Sequence, residues 1–296
     1  MKAPFSLIEM LGDRVPHLHI VDVGAMFIGP EHIPYRTLLE PGRTTVTGFE
    51  PISTECEKLN QSASPGQRFL PYCIADGTVR TFYVTNTGFT SSLYEPNTEL
   101  LNAFNNLGEL TRVQGTEQLQ TKRLDDVSEV SDVHFLKLDV QGAELDVLKG
   151  AERTLKSVML VYCEVEFLDM YKGQPLFGEI DSFLRTQGFM LHFLNGFGGR
   201  GFVPVTANNN INLPVRQALW SDAIFVPDFR RLHLYPPERL LALAVMLHEL
   251  YLSVDLVSVI LNHYDRKMST DLWSEYLRRL TGRENPGKRP PLAGLD

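Results

Sequence analysis

Five strand-like runs of this chain close on a carboxylate or carry one near the end: Asp22 in "VDVGA", Glu50 in "GFEP", Asp76 in "IADG", Asp139 in "FLKLDV" and Glu164 in "VYCEVE". Acids recurring at that place point to a ligand site, because open α/β sheets bind ligands outside the carboxyl ends of their strands. Gly24 follows Asp22 and has no Cβ to block a close approach. Glu50 can accept hydrogen bonds from both hydroxyls of a ribose, or it can cap the helix that follows. Asp76 can flank an adenine and accept from its amine, or make an Asp-Gly turn with Gly77. Lys137 and Asp139 lie two apart on a strand and so share a face. A lysine near a sheet centre needs a partner, which Asp139, or Glu164 on a neighbouring strand, would supply. Glu144 opens the next helix, either as a site group or as an acid favoured by the helix dipole. Asp139, Glu164 and Glu166 could ligate a divalent ion. Alternating side chains along a strand argue against that, and no metal is expected. There is no GxGxxG after the first strand, and "VQGAE" is not a nucleophile elbow.

The elements that must hold these groups follow from the pattern. "LHIVDVG", "TTVTGFE", "RFLPYCIAD", "HFLKLDV" and "VMLVYCEVE" read as core strands, with the third ending at Asp76. "TVRTFYVT" is a further strand, and residues 86–117 read as loop. Pro30 suits a helix start and Pro34 would break it, so a short helix is expected there. "PISTECEKLNQ" and "LFGEIDSFLRTQG" are helical, the second stopped by Gly188. After Asp139, Leu145, Leu148, Ala151 and Leu155 form one apolar stripe at spacings of three and four. "FMLHFLN" and "DAIFVP" close the series as an antiparallel edge pair. Strands alternating with helices predict a doubly wound, mostly parallel sheet. After Pro227 the chain becomes helical and apolar. The expected division is a catalytic domain over 1–228, a helical appendage over 229–282 and a proline- and glycine-rich disordered tail over 283–296.

The totals exclude some functions. The 296 residues are 43% apolar and 22% charged, ordinary values for a folded chain, with a formal charge of −8 that argues against nucleic acid as a main partner. Cys56, Cys73 and Cys163 form no CxxC pair and fit a reducing compartment. The first 17 residues contain no signal-like apolar stretch and no run is long enough to span a membrane, so a cytoplasmic protein is expected.

"VDVGA", "GFEP", "IADG", "RLDDV" and above all "LKLDVQGAELDVLKGAERTL" resemble the FkbM-type S-adenosylmethionine-dependent methyltransferases, as does the later "MYKGQPLFGEIDSFLRTQGFML". The resemblance runs from Ile20 to Val226. It implies a class I methyltransferase fold, Rossmann-like, with a seven-stranded sheet in the order 3-2-1-4-5-7-6. It further implies methyl transfer from S-adenosyl-L-methionine to a hydroxyl of a sugar, polysaccharide, polyketide or similar small molecule. By position it assigns Asp22, Gly24 and Ala25 to the methionine part of the cofactor, Glu50 to the ribose, Asp76 to the adenine side and Asp139 to the space between donor and acceptor. Ser91 and Ser92 match a Ser-Ser-Leu segment lining the site. The chain departs from the family's D-x-G-A-N-x-G: Met26 replaces the Asn, Ile28 the second glycine, and Gly29 comes one residue late. Asp139 is expected to position the acceptor or take its proton, with Glu164 or Glu144 as second candidates. The rival readings are a noncatalytic cofactor-binding or scaffolding relative and an NAD-dependent oxidoreductase. The C-terminal helices are expected to pack on the catalytic domain or to join two copies as a homodimer.

Overall fold

A computed structural model describes residues 4–284 except Ile28, Pro30, Glu31 and Pro41, together with Gly287 and Arg289. The apolar and β-branched runs form β1 (Leu18–Val23), β2 (Thr44–Phe49), β3 (Gln67–Leu70), β4 (Val79–Thr85), β5 (Val113–Gln120), β6 (Phe135–Leu138), β7 (Leu160–Glu166), β8 (Phe189–Leu194) and β9 (Trp220–Pro227). Seven of them make one sheet in the order β3-β2-β1-β6-β7-β9-β8, while β4 and β5 pair as a separate ribbon. Pairing is parallel from β3 through β7 and antiparallel where β9 enters between β7 and β8. Counting sheet strands alone, the order is the expected 3-2-1-4-5-7-6. It reverses between β1 and β6, which opens a crevice there.

The helices are α1 (Leu7–Leu11), α2 (Ser53–Ser62), the single turns α3 (Thr98–Leu101) and α4 (Leu107–Leu110), α5 (Glu144–Lys149), α6 (Phe177–Thr186), α7 (Pro237–Met246), α8 (Val254–Met268) and α9 (Leu272–Thr281). Central parallel strands are buried on both faces and need cover on each. On one face Val21, Leu136, Leu138 and Val161 pack against Leu145 and Leu148 of α5 and Ile180 and Leu184 of α6. On the other, Leu18, Ile20, Phe135, Leu160 and Ile224 share a core with α1 and with Leu240 to Leu247, Val257, Ile260, Leu261, Trp273 and Tyr276. A π-helical turn, Leu247–Tyr251, joins α7 to α8. It carries Glu249 to the Ser6 hydroxyl and the Ile8 amide at 2.8 and 3.0 Å.

The C-terminal helices pack against the sheet, one of the two arrangements expected of them, and share one apolar cluster with it. Many of their apolar residues are buried there, while Leu256, Val259, Leu277 and Leu280 are only partly covered. Other expectations are corrected locally. The third strand stops at Leu70 because Pro71 has no N–H to continue the ladder; Ile74 makes only an isolated bridge to Lys122. Residues 86–117, read as loop, contain α3, α4 and the start of β5. That strand is polar and almost wholly exposed, so it lacks the usual alternation. The helix after Asp139 lasts six residues and yields near Gly150, where a Cβ would run into the Ala75 carbonyl oxygen. Ala151 and Leu155 nevertheless stay buried in the same core. The expected helix start at Pro30 and most of the expected disordered tail, residues 285, 286, 288 and 290–296, lie outside the described residues. Among the described residues no helix is long and apolar enough to cross a membrane.

Deleting residues 229–282 should leave a chain with no cooperative thermal transition, because it uncovers one whole face of the sheet. A truncated chain that melts cooperatively by calorimetry would show the helices to be a separate unit.

Candidate active site at the carboxyl ends of the strands

A cavity of about 550 Å³ lies over the reversal point, with Gly24, Glu50, Lys137, Asp139, Glu164 and Asp222 at the strand ends among its lining residues. The strand ends are drawn tightly together. Gly24 and Ala25 both donate to the Phe49 carbonyl, and Asp139 N donates to Val23 O, at 3.0–3.1 Å. Gly24 has φ +79°, and a Cβ there would run into the Asp139 carbonyl oxygen, so glycine is required.

Lys137 ties this junction. Its ammonium lies 3.0 Å from Asp22 Oδ1 and 3.6 Å from Asp139 Oδ2, and donates to Gly24 O at 2.6 Å. The nearer carboxylate is Asp22, not the Asp139 or Glu164 expected from the sequence. Burial works to lower the lysine's pKa, and the carboxylates of Asp22 and Asp139 overcome it, raising the pKa above the ordinary value. The other oxygen of Asp22 accepts from the Tyr35 hydroxyl at 2.6 Å. Asp22 is buried beneath the cavity and is not among its lining residues.

Gln141 had no place among the sequence candidates and proves central. Its backbone is left-handed at φ 56°, which swings the side chain between two acids. Nε2 donates to Asp139 Oδ1 at 2.9 Å and to Glu164 Oε2 at 2.7 Å. The Tyr171 hydroxyl lies 3.0 Å from Gln141 Oε1 and 3.0 Å from Thr90 O. Ser92 Oγ donates to Gln141 O at 2.6 Å, so Ser92 fixes the turn from below while Ser91 lines the cavity. The only sequence signal was the Gln-Gly pair in "DVQG", a turn whose side-chain role no spacing reveals.

Glu144 reaches back to accept from Val140 N at 2.8 Å and Gly142 N at 3.3 Å, closing the loop after β6 without lining the cavity. Its second oxygen and both oxygens of Glu166 are buried without hydrogen-bond partners. Glu144, Glu164 and Glu166 bring ligand atoms within 4.8 Å of one another. Carboxyl groups so close must share protons or hold a cation. Burial first, then neighbouring acids, raises all three: Glu144 to about 7, the other two well above the carboxylate range. These groups are therefore held toward the protonated form, and Asp139, beside the Lys137 ammonium, is the acid placed at the mouth.

At the β2 end Glu50 lines the cavity and its Oε1 accepts from Ile52 N at 2.8 Å, so capping and facing the ligand space occur together. Burial pushes its carboxyl up to about 7. Asp76 is not brought into the cavity. It accepts from Thr78 N and Oγ1 at 2.9 and 2.7 Å and pairs with Arg80 at 3.2 Å, the turn arrangement, while Cys73 and Ile74 supply the lining there. Ala25 is buried behind the lining. Met26, at the departure from the family pattern, forms part of the wall. The connections at 86–110 and 195–200 also contribute, with Phe89, Thr90 and Leu107 from the first and Asn195 and Arg200 from the second.

The strand order, the crevice at its reversal and the buried acid at the end of β2 define a class I methyltransferase fold. The methyltransferase FkbM domain matches residues 22–191, and the chain belongs to that family. Membership in a methyltransferase family points to S-adenosyl-L-methionine as the cofactor and away from the NAD-dependent reading. The 2-O-methyltransferase NoeI of Sinorhizobium fredii (strain NBRC 101917 / NGR234) is 29% identical over 142 residues, 45% of this chain and 58% of that protein. The chain thus matches little more than half the length of that relative. Among solved structures, a provisional methyltransferase from Thermoplasma acidophilum is 10% identical with a TM-score of 0.36, covering 72% of this chain and 69% of that one. LepI in complex with SAM is 10% identical with a TM-score of 0.33, over 76% of this chain and 47% of that one. At such scores neither likeness carries weight, and the fold stands on the strand order itself.

Two outcomes follow. Lys137→Met leaves Asp22 buried beside no cation and should lower the unfolding free energy by about 3–5 kcal/mol in denaturant titration. If Glu50 holds the ribose hydroxyls it does so best as the carboxylate, so its protonation would oppose cofactor binding. With its carboxyl at about 7, the Kd for S-adenosylhomocysteine should weaken by up to about tenfold from pH 8 to pH 6, and Glu50→Gln should abolish that dependence. A flat profile in the unaltered chain would remove Glu50 from the cofactor.

Proposed function

We propose that the chain methylates a hydroxyl oxygen of a sugar, glycan, polyketide or similar small molecule, with Asp139 as the group that orients the hydroxyl and takes its proton. The observation carrying this reading is the pair Asp139 and Glu164 at the cavity mouth, bridged by one amide and backed by a buried ammonium. The residues fit the cofactor. Gly24 lines the cavity with bare backbone packed against the Asp139 carbonyl, Glu50 offers a buried acid, and Phe49, Ile52, Tyr72 and Ile74 offer apolar walls for a purine. In this reading Glu50 holds the ribose, and the Gly24–Ala25 turn and Asp139 border the methionine part. Asp22 acts through Lys137, and Asp76 shapes the turn beside the adenine.

The bound cofactor supplies an already activated methyl group, so the protein's work is alignment, exclusion of water and removal of one proton. Gln141 sets the Asp139 side chain by its hydrogen bond, and the Lys137 ammonium lies 3.6 Å from it on the other side. Glu164, held toward its protonated form, presents an O–H to the acceptor side. Glu144 holds the loop. O-methylation is also the activity named for NoeI. The three buried free cysteines suit the cytoplasm.

Asp139→Asn should lower turnover by ~10²–10⁴-fold while changing the Kd for S-adenosylhomocysteine by less than about threefold. Undiminished methyl transfer by that variant in a tritiated-methyl assay would sink the assignment.

A further inference from the structure

The cavity holds a second cation whose circumstances differ from those of Lys137. Arg200 lies in the 195–219 connection between β8 and β9 and lines the cavity beside Asn195, Trp220 and Asp222. Its Nε is buried with no hydrogen-bond partner, and Nη1 reaches only the carbonyl of its neighbour Gly199 at 2.8 Å. No acid among the described residues forms an ion pair with it. The other partly buried arginines do find one: Arg80 pairs with Asp76 and Asp146, Arg239 with Asp132, Arg289 with Asp265 and Asp271. Burial alone lowers the pKa of Arg200, with no neighbouring charge opposing it. A half-buried guanidinium left bare is costly, and is kept where a partner arrives from outside.

The group is also held in place. Its guanidinium sits 5.5 Å from the centre of the Trp220 ring, on which it can stack. Gly198 N donates to Trp220 O at 2.9 Å, and a Cβ on Gly198 would run into the indole. Position in the sheet says which ligand would meet it. Glu50 follows β2, whereas Trp220 opens β9, four strand spacings away through β1, β6 and β7, about 19 Å. The ribose end of the cavity and the Arg200 end are therefore opposite ends, with Asp139 and Glu164 between them.

We infer that Arg200 binds an oxyanion carried by the methyl acceptor, a carboxylate or a phosphate, so that the acceptor is an acidic molecule held by its anion while its hydroxyl meets Asp139. This rests on the methyl-transfer reading of the cavity. A planar guanidinium with free N–H groups suits either anion by paired hydrogen bonds.

The test is a titration of the full chain, saturated with S-adenosylhomocysteine, with D-glucuronate, inorganic phosphate and D-glucose, read by tryptophan emission because Trp220 lies against the guanidinium. Glucuronate or phosphate should give a saturable change and glucose none, the better of the two anions telling which source fits. Arg200→Gln should weaken the response by at least about tenfold and Arg200→Lys by less, with the affinity for S-adenosylhomocysteine unchanged in both. That unchanged affinity also shows the variants to be folded. The inference is overturned by an equal response to glucose, by no response to either anion, or by an anion response that survives Arg200→Gln. It is equally overturned if the variants lose S-adenosylhomocysteine, for Arg200 would then hold the cofactor's own carboxylate. Failure of the unaltered chain to bind S-adenosylhomocysteine would strike the methyl-transfer reading instead, and the anion titrations without it would still judge Arg200.

Discussion

One buried ammonium joins the two strands between which the sheet reverses. Lys137 stands on β6, the shortest central strand, and reaches Asp22 and the Gly24 carbonyl at the end of β1 as well as Asp139 at the end of its own strand. Inside a protein such a charge is tolerable only when paired, and here the pairing spans the crevice in which this fold places its ligand. Hydrogen bonds between neighbouring strands would align β1 and β6 without it. The ammonium adds a fixed positive point under the floor, which holds Asp139 in its place and allows Gly24 to lie against the Asp139 carbonyl.

Around that point the acids are graded by depth. Asp139 faces the cavity, Glu164 is half-buried beside it, and Glu144 and Glu166 lie sealed behind. Burial and mutual repulsion push the deeper three toward neutrality. The same type of side chain thus stands beside an ammonium at the mouth and, deeper in, is held toward the protonated acid. Gln141 makes the division workable, because an amide can donate to two acids at once and adds no charge of its own.

The fold was legible because its signals are repeated. Parallel strands buried on both faces give apolar runs, and the acids at their ends mark one edge of the sheet. Glu50, Asp139 and Glu164 could be placed at the rim of one cavity for that reason. Of the two readings given for Asp76 the structure shows the turn, because Pro71 ends β3 early and the position is no longer a strand end. Lys137 was expected to be paired, but its nearer partner comes from a strand 115 positions earlier in the chain, and no local pattern shows that. Gln141 and Arg200 were missed as site groups because their meaning lies in a left-handed turn and in an unpaired guanidinium, both properties of three-dimensional context. The C-terminal helical layer was read as helices packing on the catalytic domain or joining two copies, since apolar composition alone does not say against what it packs.

That layer has a bearing on how the chain is made. The face of β1 is covered by residues that follow it by more than two hundred positions; even the first helix is tied down through Ser6 to Glu249, 243 residues away. A ribosome delivers β1, β6 and β7 well before the helices that shield them. For that interval the nascent sheet presents bare leucine, isoleucine and phenylalanine, the condition under which partly made chains associate with one another or are held by chaperones. Contacts of such long sequence separation also slow folding after release. The arrangement that seals the floor beneath the cleft thus forms late, and a cleft competent for chemistry exists only once the chain through α9 has emerged.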